Sequence, residues 1–142
     1  MRKLQVLIRV FPAVLLALAL TAPARAAQDA SSSPQAKAYQ GLLKAVASGD
    51  YGAYKKCMTK AANEGIEKQT KEMGLDPKKV MGMLQAMTPT DIKYTGVKVD
   101  GKKAVLDATG KVGGENNWGT INLEEEDGQW KIGQQSWTNT KK

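Results

Sequence analysis

Apolar residues recur at helical spacing through the first half of this chain, beginning near residue 34. Ser33 and Pro34 predict the start of the first helix, as an N-cap followed by proline at the first helical position. Gly49 is typical of a residue that ends a helix, and Asp50 can cap the next one. The stripe that this first helix would bury is Tyr39, Leu42, Leu43 and Val46.

Two more helical stretches follow the first helix. The pattern predicts a second helix over residues 51–63, which Gly65 breaks or kinks. A further helical stretch over residues 66–73 stops at Gly74. This half of the chain is therefore expected to be helical, with short connections.

A last helix is predicted to begin at residues 76 and 77, where Asp-Pro repeats the cap-and-proline signal. Its apolar stripe is Val80, Met83, Leu84 and Met87. We expect Met83 and Met87 to fill the core, and Met81, which lies off the stripe, to be exposed. Because methionine adapts its shape to many partners, an adaptable apolar binding surface stays the alternative.

From residue 91 onward the apolar positions alternate, which predicts strands. Asp-Gly pairs at residues 100–101 and 127–128 predict tight hairpin turns, and residues 113–117 predict a longer loop. The predicted strands cover residues 92–99, 102–112, 118–126 and 129–137. The residues expected on the inner face of the sheet are Ala104, Leu106, Ala108, Ile121, Leu123, Trp130 and Ile132.

Helices followed by strands predict an α+β domain, with N-terminal helices packed on a curved antiparallel β-meander. We assign residues 35–138 to this single domain. Residues 27–34 are expected to be a flexible mature N-terminus, and residues 139–142 a C-terminal tail.

The first 26 residues predict export. Basic residues precede an almost unbroken apolar run over residues 10–22, and residues 24–26, Ala-Arg-Ala, close the segment. This is the pattern of a secretory signal peptide, cut between Ala26 and Ala27. We expect a periplasmic or secreted protein with no membrane association after cleavage.

Removal of residues 1–26 changes the charge of the chain. Four of the 21 basic residues leave, so 17 Lys remain against 14 acidic residues and the net charge falls from +7 to +3. This modest charge and the lack of Arg after residue 26 argue against a nucleic-acid partner. With no His and a single Cys, Cys57, we expect no metal site, no internal disulfide and no cofactor. Burial of Cys57 is favoured over a reactive or dimerising thiol.

No catalytic motif is found. Asp107 alternates with Leu106 and Ala108, which places its carboxylate on the outer face of the predicted strand. Trp118 and Trp137 are expected at the edge of the sheet. An exposed pair of indole rings would also suit stacking on a ring ligand or a dimer interface.

Three segments resemble the nuclear transport factor 2-like superfamily. Residues 47–51, Ala-Ser-Gly-Asp-Tyr, resemble its junction between the first two helices. Residues 97–106 resemble its hairpin into a long strand, and residues 120–132 resemble its final hairpin, in which a Trp and an Ile close a cone. The likeness covers residues 35–138 and is strongest to small secreted bacterial domains of unknown function.

The resemblance implies a sheet curved around a cone-shaped cavity. Members bind small apolar ligands there, act as enzymes such as ketosteroid isomerases, or serve for dimerisation and protein binding. Because this chain has no His and its Asp107 is expected to point outward, the balance is against an enzyme.

The hypothesis from sequence is an exported, non-enzymatic domain that binds a small apolar ligand or a protein partner. The alternatives are an isomerase- or dehydratase-like enzyme with a buried carboxylate, and an accessory module that forms a homodimer. The expected lining of the cone is Tyr54, Met83, Met87, Leu106, Ile121, Trp130, Ile132, Gln134 and Ser136.

Overall fold

The computed structural model describes residues 29–141, and the predicted signal peptide lies outside the described residues. Within the described residues, a short 3₁₀ helix, Ala30–Ser32, precedes four α-helices and four strands. The helices are α1 (Pro34–Ser48), α2 (Tyr51–Cys57), α3 (Lys60–Glu72) and α4 (Pro77–Met87). The strands are β1 (Thr90–Asp100), β2 (Lys103–Val112), β3 (Glu115–Glu126) and β4 (Gln129–Thr138). All neighbouring strands are antiparallel, in the order β1-β2-β3-β4. The α+β class and the meander are as predicted.

Helix ends follow the local sequence signals. The side chains of Ser33, Asp50 and Asp76 each accept a hydrogen bond from a backbone N–H in the first turn of a helix, at 2.8–3.1 Å. Gly49 ends α1 in the left-handed region, at φ 69°. Part of the segment expected to be flexible is also folded, because Ala30 and Ser33 are buried.

The break after the second helix lies at Met58 and Thr59, and the prediction of a break at Gly65 is wrong. Thr59 is buried, and its backbone N–H donates to the Ile132 carbonyl oxygen at 3.0 Å. This contact with β4 turns the chain before α3 begins. Gly65 lies inside α3, where a Cβ would meet nothing within 4 Å.

The loop predicted over residues 113–117 is shorter in the structure. Gly113 and Gly114 form a two-residue turn with φ angles of 59° and 85°. Glycine adopts positive φ without steric cost, so the strands pair up to the turn and β3 begins at Glu115.

The space between the helices and the sheet is filled by side chains. The predicted inner-face residues of β2, β3 and β4 are at most 4 % exposed, apart from half-buried Trp130. Tyr39 and Leu42 of α1 are also buried and belong to the same cluster. The residues expected to line a cone therefore form a packed core in this part of the fold.

A bulge in β4 reverses the alternation that the sequence predicted for its second half. Leu123 pairs with Ile132, but the preceding residue of β3, Asn122, pairs with Gln134, so Gly133 has no partner in the ladder. Gln134 is therefore exposed on the outer face.

The same bulge changes the side of the residues that follow. Gln135 pairs with buried Ile121, so it faces the helices, and its side-chain oxygen accepts a hydrogen bond from the Tyr39 hydroxyl at 2.6 Å. Ser136 is exposed, whereas Trp137 packs partly buried against the core. The prediction that Gln134 and Ser136 share the inner face with Trp130 is wrong for this reason.

Helix α4 presents a different face to the core from the predicted one. Met81 is 3 % exposed, whereas Met83 is 48 % and Met87 is 69 % exposed. The Gln85 side chain donates to the Val46 carbonyl oxygen at 2.9 Å, which fixes the rotation of α4 against the end of α1. The prediction that Met83 and Met87 fill the core and that Met81 is exposed is therefore wrong.

No helix within residues 29–141 is long and apolar enough to span a membrane.

Candidate functional site

Within residues 29–141, the surface with the most exposed large apolar side chains lies between α3 and α4. We call this surface the methionine groove; it has a volume of about 190 Å³. Its lining residues are Tyr54, Ile66, Gln69, Thr70, Met73, Leu75, Val80, Met83, Leu84 and Met87.

A tight reversal of the chain places the two walls of the groove side by side. Gly74, at φ 62°, follows the end of α3, and the Leu75 backbone N–H donates to the Thr70 carbonyl oxygen at 3.0 Å. Asp76 then caps α4. This geometry is that of a Gly-terminated helix followed at once by a capped helix, so α3 and α4 are joined by a short turn.

Helix α3 is anchored on one side and open on the other. The Lys55 ammonium pairs with the Glu67 carboxylate, and the Asn63 side chain donates to the Lys55 carbonyl oxygen at 2.8 Å. The hydrogen bond from Lys55 lowers the pKa of Glu67. No residue of α3 is buried, so its apolar side, which includes half-buried Ile66, is covered only in part.

The exposed apolar surface is concentrated at this groove. The large hydrophobic side chains exposed within residues 29–141 are Met73, Met83, Met87 and Val99. Three of these four line the methionine groove, and Val99 lies near the end of β1. Because long apolar side chains normally turn toward the core, such a cluster marks a binding surface more often than an isolated exposed residue does.

Tyr54 is the most buried residue of the lining. It is buried, and its ring stacks on Tyr51 with 6.4 Å between centroids. Burial raises the pKa of its hydroxyl, which therefore stays protonated at neutral pH. The Thr70 hydroxyl donates to the Ile66 carbonyl oxygen, so Gln69 is the remaining polar side chain of the lining. The described lining contains no Asp, Glu, Lys or Arg side chain.

The structure brings together only part of the site predicted from the sequence. Tyr54, Met83 and Met87 line the methionine groove. Leu106, Ile121 and Ile132 are fully buried in the core. The remaining three lie elsewhere: Trp130 is half-buried beside the start of α1, and Gln134 and Ser136 are exposed on the outer face of β4.

Sequence analysis missed one wall of the groove. Ile66, Thr70 and Met73 recur at helical spacing, and this stripe was visible in the sequence. The stripe was not recognised as part of a site because the predicted break at Gly65 separated residues 66–73 from the helix before them.

Cys57 and Asp107, which the sequence analysis considered as candidate reactive groups, both lie outside the methionine groove. Cys57 is half-buried, and its burial raises the pKa of the thiol, although the nearby Lys131 ammonium acts in the opposite direction. Asp107 is half-buried and pairs with Gly96 and Thr120 on the outer side of the sheet, as expected. Within residues 29–141 no three Asp, Glu, Cys or His side chains are grouped as metal ligands would be.

The comparisons with known proteins concern the fold. No family model matches the chain, and no curated protein matches it. A SEC-C motif containing protein from Rhodopseudomonas palustris is similar in structure, with a TM-score of 0.50 at 13% sequence identity, over 77% of this chain and 80% of that one.

Two further solved structures are described as NTF-2 like proteins of unknown function. The one from Shewanella oneidensis MR-1 has a TM-score of 0.45 at 16% identity, over 73% of this chain and 95% of that one. The one from Burkholderia xenovorans LB400 has a TM-score of 0.45 at 13% identity, over 77% of this chain and 86% of that one.

Proposed function

We propose that this chain is an exported binding protein without enzymatic activity, and that its methionine groove docks the apolar face of an amphipathic helix of a protein partner. The observation that carries the proposal is the exposure of Met73, Met83 and Met87 along one groove between two helices. Export is supported by the signal-peptide pattern of residues 1–26.

The size of the groove favours a partner side chain over a free small molecule. Sites for drug-sized ligands usually enclose about 300–1,000 Å³. The methionine groove, at about 190 Å³, is smaller. It is suited to a few apolar side chains that enter from a partner whose backbone stays outside.

The chemistry of the walls favours a helical partner. Grooves between helices receive amphipathic helices, whose anchors recur at i, i+3, i+4 and i+7. Methionine walls adapt to such anchors because the unbranched thioether changes rotamer readily.

The enzyme alternative requires a buried carboxylate beside a cavity. The core around Leu106 and Ile121 is filled, and Asp107 lies on the outer side of the sheet. We therefore place binding, and not catalysis, at the centre of the proposal.

The test is a titration of the protein, purified after expression of the full chain, with a fluorescent 14-residue peptide. Its leucines occupy one helical face and glutamates the other; a control peptide has the same composition in scrambled order. We expect saturable binding of the amphipathic peptide only. Met83→Lys should weaken binding by about tenfold or more, because a charge would enter the apolar contact.

Val99→Lys is the matched control, since it places the same charge at an exposed apolar residue outside the groove. It should leave the affinity unchanged. Equal binding of both peptides, or equal loss in both variants, would contradict the proposed function.

A further inference from the structure

A second cleft lies on the outer face of the sheet, away from the methionine groove. It has a volume of about 610 Å³, which is in the range of small-molecule sites. We call it the Trp118 cleft. Its polar, charged and aromatic lining residues are Asp91, Lys93, Thr109, Lys111, Asn116, Asn117 and Trp118.

Strand register assembles this cleft. Thr109 pairs with Lys93 on one side and with Trp118 on the other, so the three form one row across β1, β2 and β3. Their neighbours Ala108 and Gly119 are buried, which places this row on the outward side. Lys111 and Asn116 form the next row on the same side.

An irregular stretch of β1 lines part of the cleft. The register shifts between Thr90 and Lys93, and Asp91 has a φ of 51°, a conformation that non-glycine residues rarely adopt. The Asp91 carboxylate lies 3.5 Å from the Lys111 ammonium. Bulges of this kind redirect side chains and recur next to binding sites.

Trp118 gives the cleft a flat apolar platform surrounded by polar groups. The indole is half-buried, and the outward positions beside its row are occupied by Asp107 and Thr120. A pyranose ring has the complementary chemistry: its C–H face stacks on an aromatic ring, while its hydroxyls both donate and accept hydrogen bonds. The Thr109 hydroxyl and the Asn116 amide can do both as well.

The charges of the cleft favour an acidic ligand. The lining holds the Lys93 and Lys111 ammonium groups and the Asp91 carboxylate, which is paired with Lys111. The Asp107 carboxylate lies in the neighbouring outward row and outside the lining. Lys93 takes part in none of the ion pairs found within residues 29–141. Its ammonium is therefore available to a carboxylate from outside.

We infer that the Trp118 cleft binds a saccharide ring that carries a carboxylate, with the ring on Trp118 and the carboxylate on Lys93. This site does not depend on the methionine groove, because it lies on the sheet and shares no lining residue with the groove.

The test is calorimetric titration of the protein, purified after expression of the full chain, with trigalacturonic acid and with neutral maltotriose. We expect saturable binding of both, tighter for the acidic sugar. Trp118→Ala should weaken both by at least about fivefold, the effect of losing an aromatic contact. Trp118→Phe keeps a ring and should retain binding, which separates stacking from a folding defect.

Lys93→Gln should remove the preference for the acidic sugar. Lys98→Gln, an exposed lysine on the same strand but outside the cleft, is the matched control and should preserve it. The inference is overturned if the wild-type protein binds neither sugar, if both lysine variants lose the preference equally, or if adenosine monophosphate binds more tightly than trigalacturonic acid.

Discussion

At the scale of single residues, Gly119 is a position where a side chain has no room. A Cβ there would lie 2.7 Å from the Trp137 indole, which packs on the inner face because of the bulge at Gly133. We expect Gly119→Ala to destabilise the domain by about 1–3 kcal/mol, as overpacking does. Urea unfolding monitored by circular dichroism measures the change.

The control for this substitution is Gly65→Ala. Gly65 lies in α3 with open space around its Cα, so alanine should leave stability unchanged or raise it by up to about 1 kcal/mol. Equal effects of the two substitutions would mean that Trp137 does not pack on Gly119.

Cys57 is a second residue whose surroundings have a measurable consequence. Burial raises the pKa of its thiol above the ordinary value of about 8.5. Because the thiolate is the reactive form, iodoacetamide should label the folded protein more slowly than the urea-denatured protein at pH 8. The difference should narrow as the pH rises through the folded pKa. Equal rates at pH 8 would indicate that Cys57 is exposed and ionised as in a peptide.

Which face a residue occupies could be predicted where the strand period is uninterrupted. Leu106, Ile121 and Ile132 were placed correctly because alternation alone decides their side of the sheet. Gln134 and Ser136 were misplaced because the alternation was carried unbroken through Gly133, which the pairing of β4 with β3 shows to be an extra residue. Gly133 lies between Ile132 and Gln134, and an isolated glycine within a strand pattern is a local signal of a bulge that alternation alone leaves unused.

At the scale of elements, the rotation of α4 decides which methionines are structural. Met81 is buried against the preceding helices, and Met83 lines the groove. We expect Met81→Ala to cost about 2–5 kcal/mol of unfolding free energy, the usual result for a buried methionine. Met83→Ala should change it by less than about 1 kcal/mol.

Thermal or urea unfolding of the two variants compares the same side-chain change at two positions of one helix. A larger loss from Met83→Ala than from Met81→Ala would restore the rotation predicted from the sequence stripe. It would also remove the exposed wall on which the proposed function depends.

The local sequence was sufficient to predict where some helices begin, but not where the second helix ends. Caps at Ser33, Asp50 and Asp76 were predictable because capping depends on the residue itself and on the backbone beside it. The break at Thr59 was not, because it depends on a hydrogen bond to Ile132, more than seventy residues away in the sequence. The rotation of α4 likewise depends on tertiary contacts with α1.

At the scale of the whole molecule, the order of helices and strands was sufficient to predict the α+β meander. The location of a binding surface was not, because the interior that the superfamily resemblance implied to be open is filled by Tyr39, Leu42 and Leu106. Filling depends on the sizes of side chains from several elements at once. The methionine groove results from incomplete cover over α3, which periodicity does not reveal.

Export is a prediction for the whole chain. Cells that express the full chain should release a protein that begins at Ala27 into the periplasmic or secreted fraction, since residues 24–26 resemble a cleavage site. N-terminal sequencing of that fraction measures the result. A chain that keeps Met1 and stays in the cytoplasm would contradict it.

The central claim, that the methionine groove is the binding surface, is tested most directly by the methyl resonances of methionine. The protein is labelled with [¹³C-methyl]methionine and titrated with the amphipathic leucine–glutamate peptide. We predict saturable shifts of the methyl signals of Met73, Met83 and Met87, while that of buried Met81 stays in place. No shift at the three groove methionines, or equal shifts at Met58 and Met81, would contradict the claim.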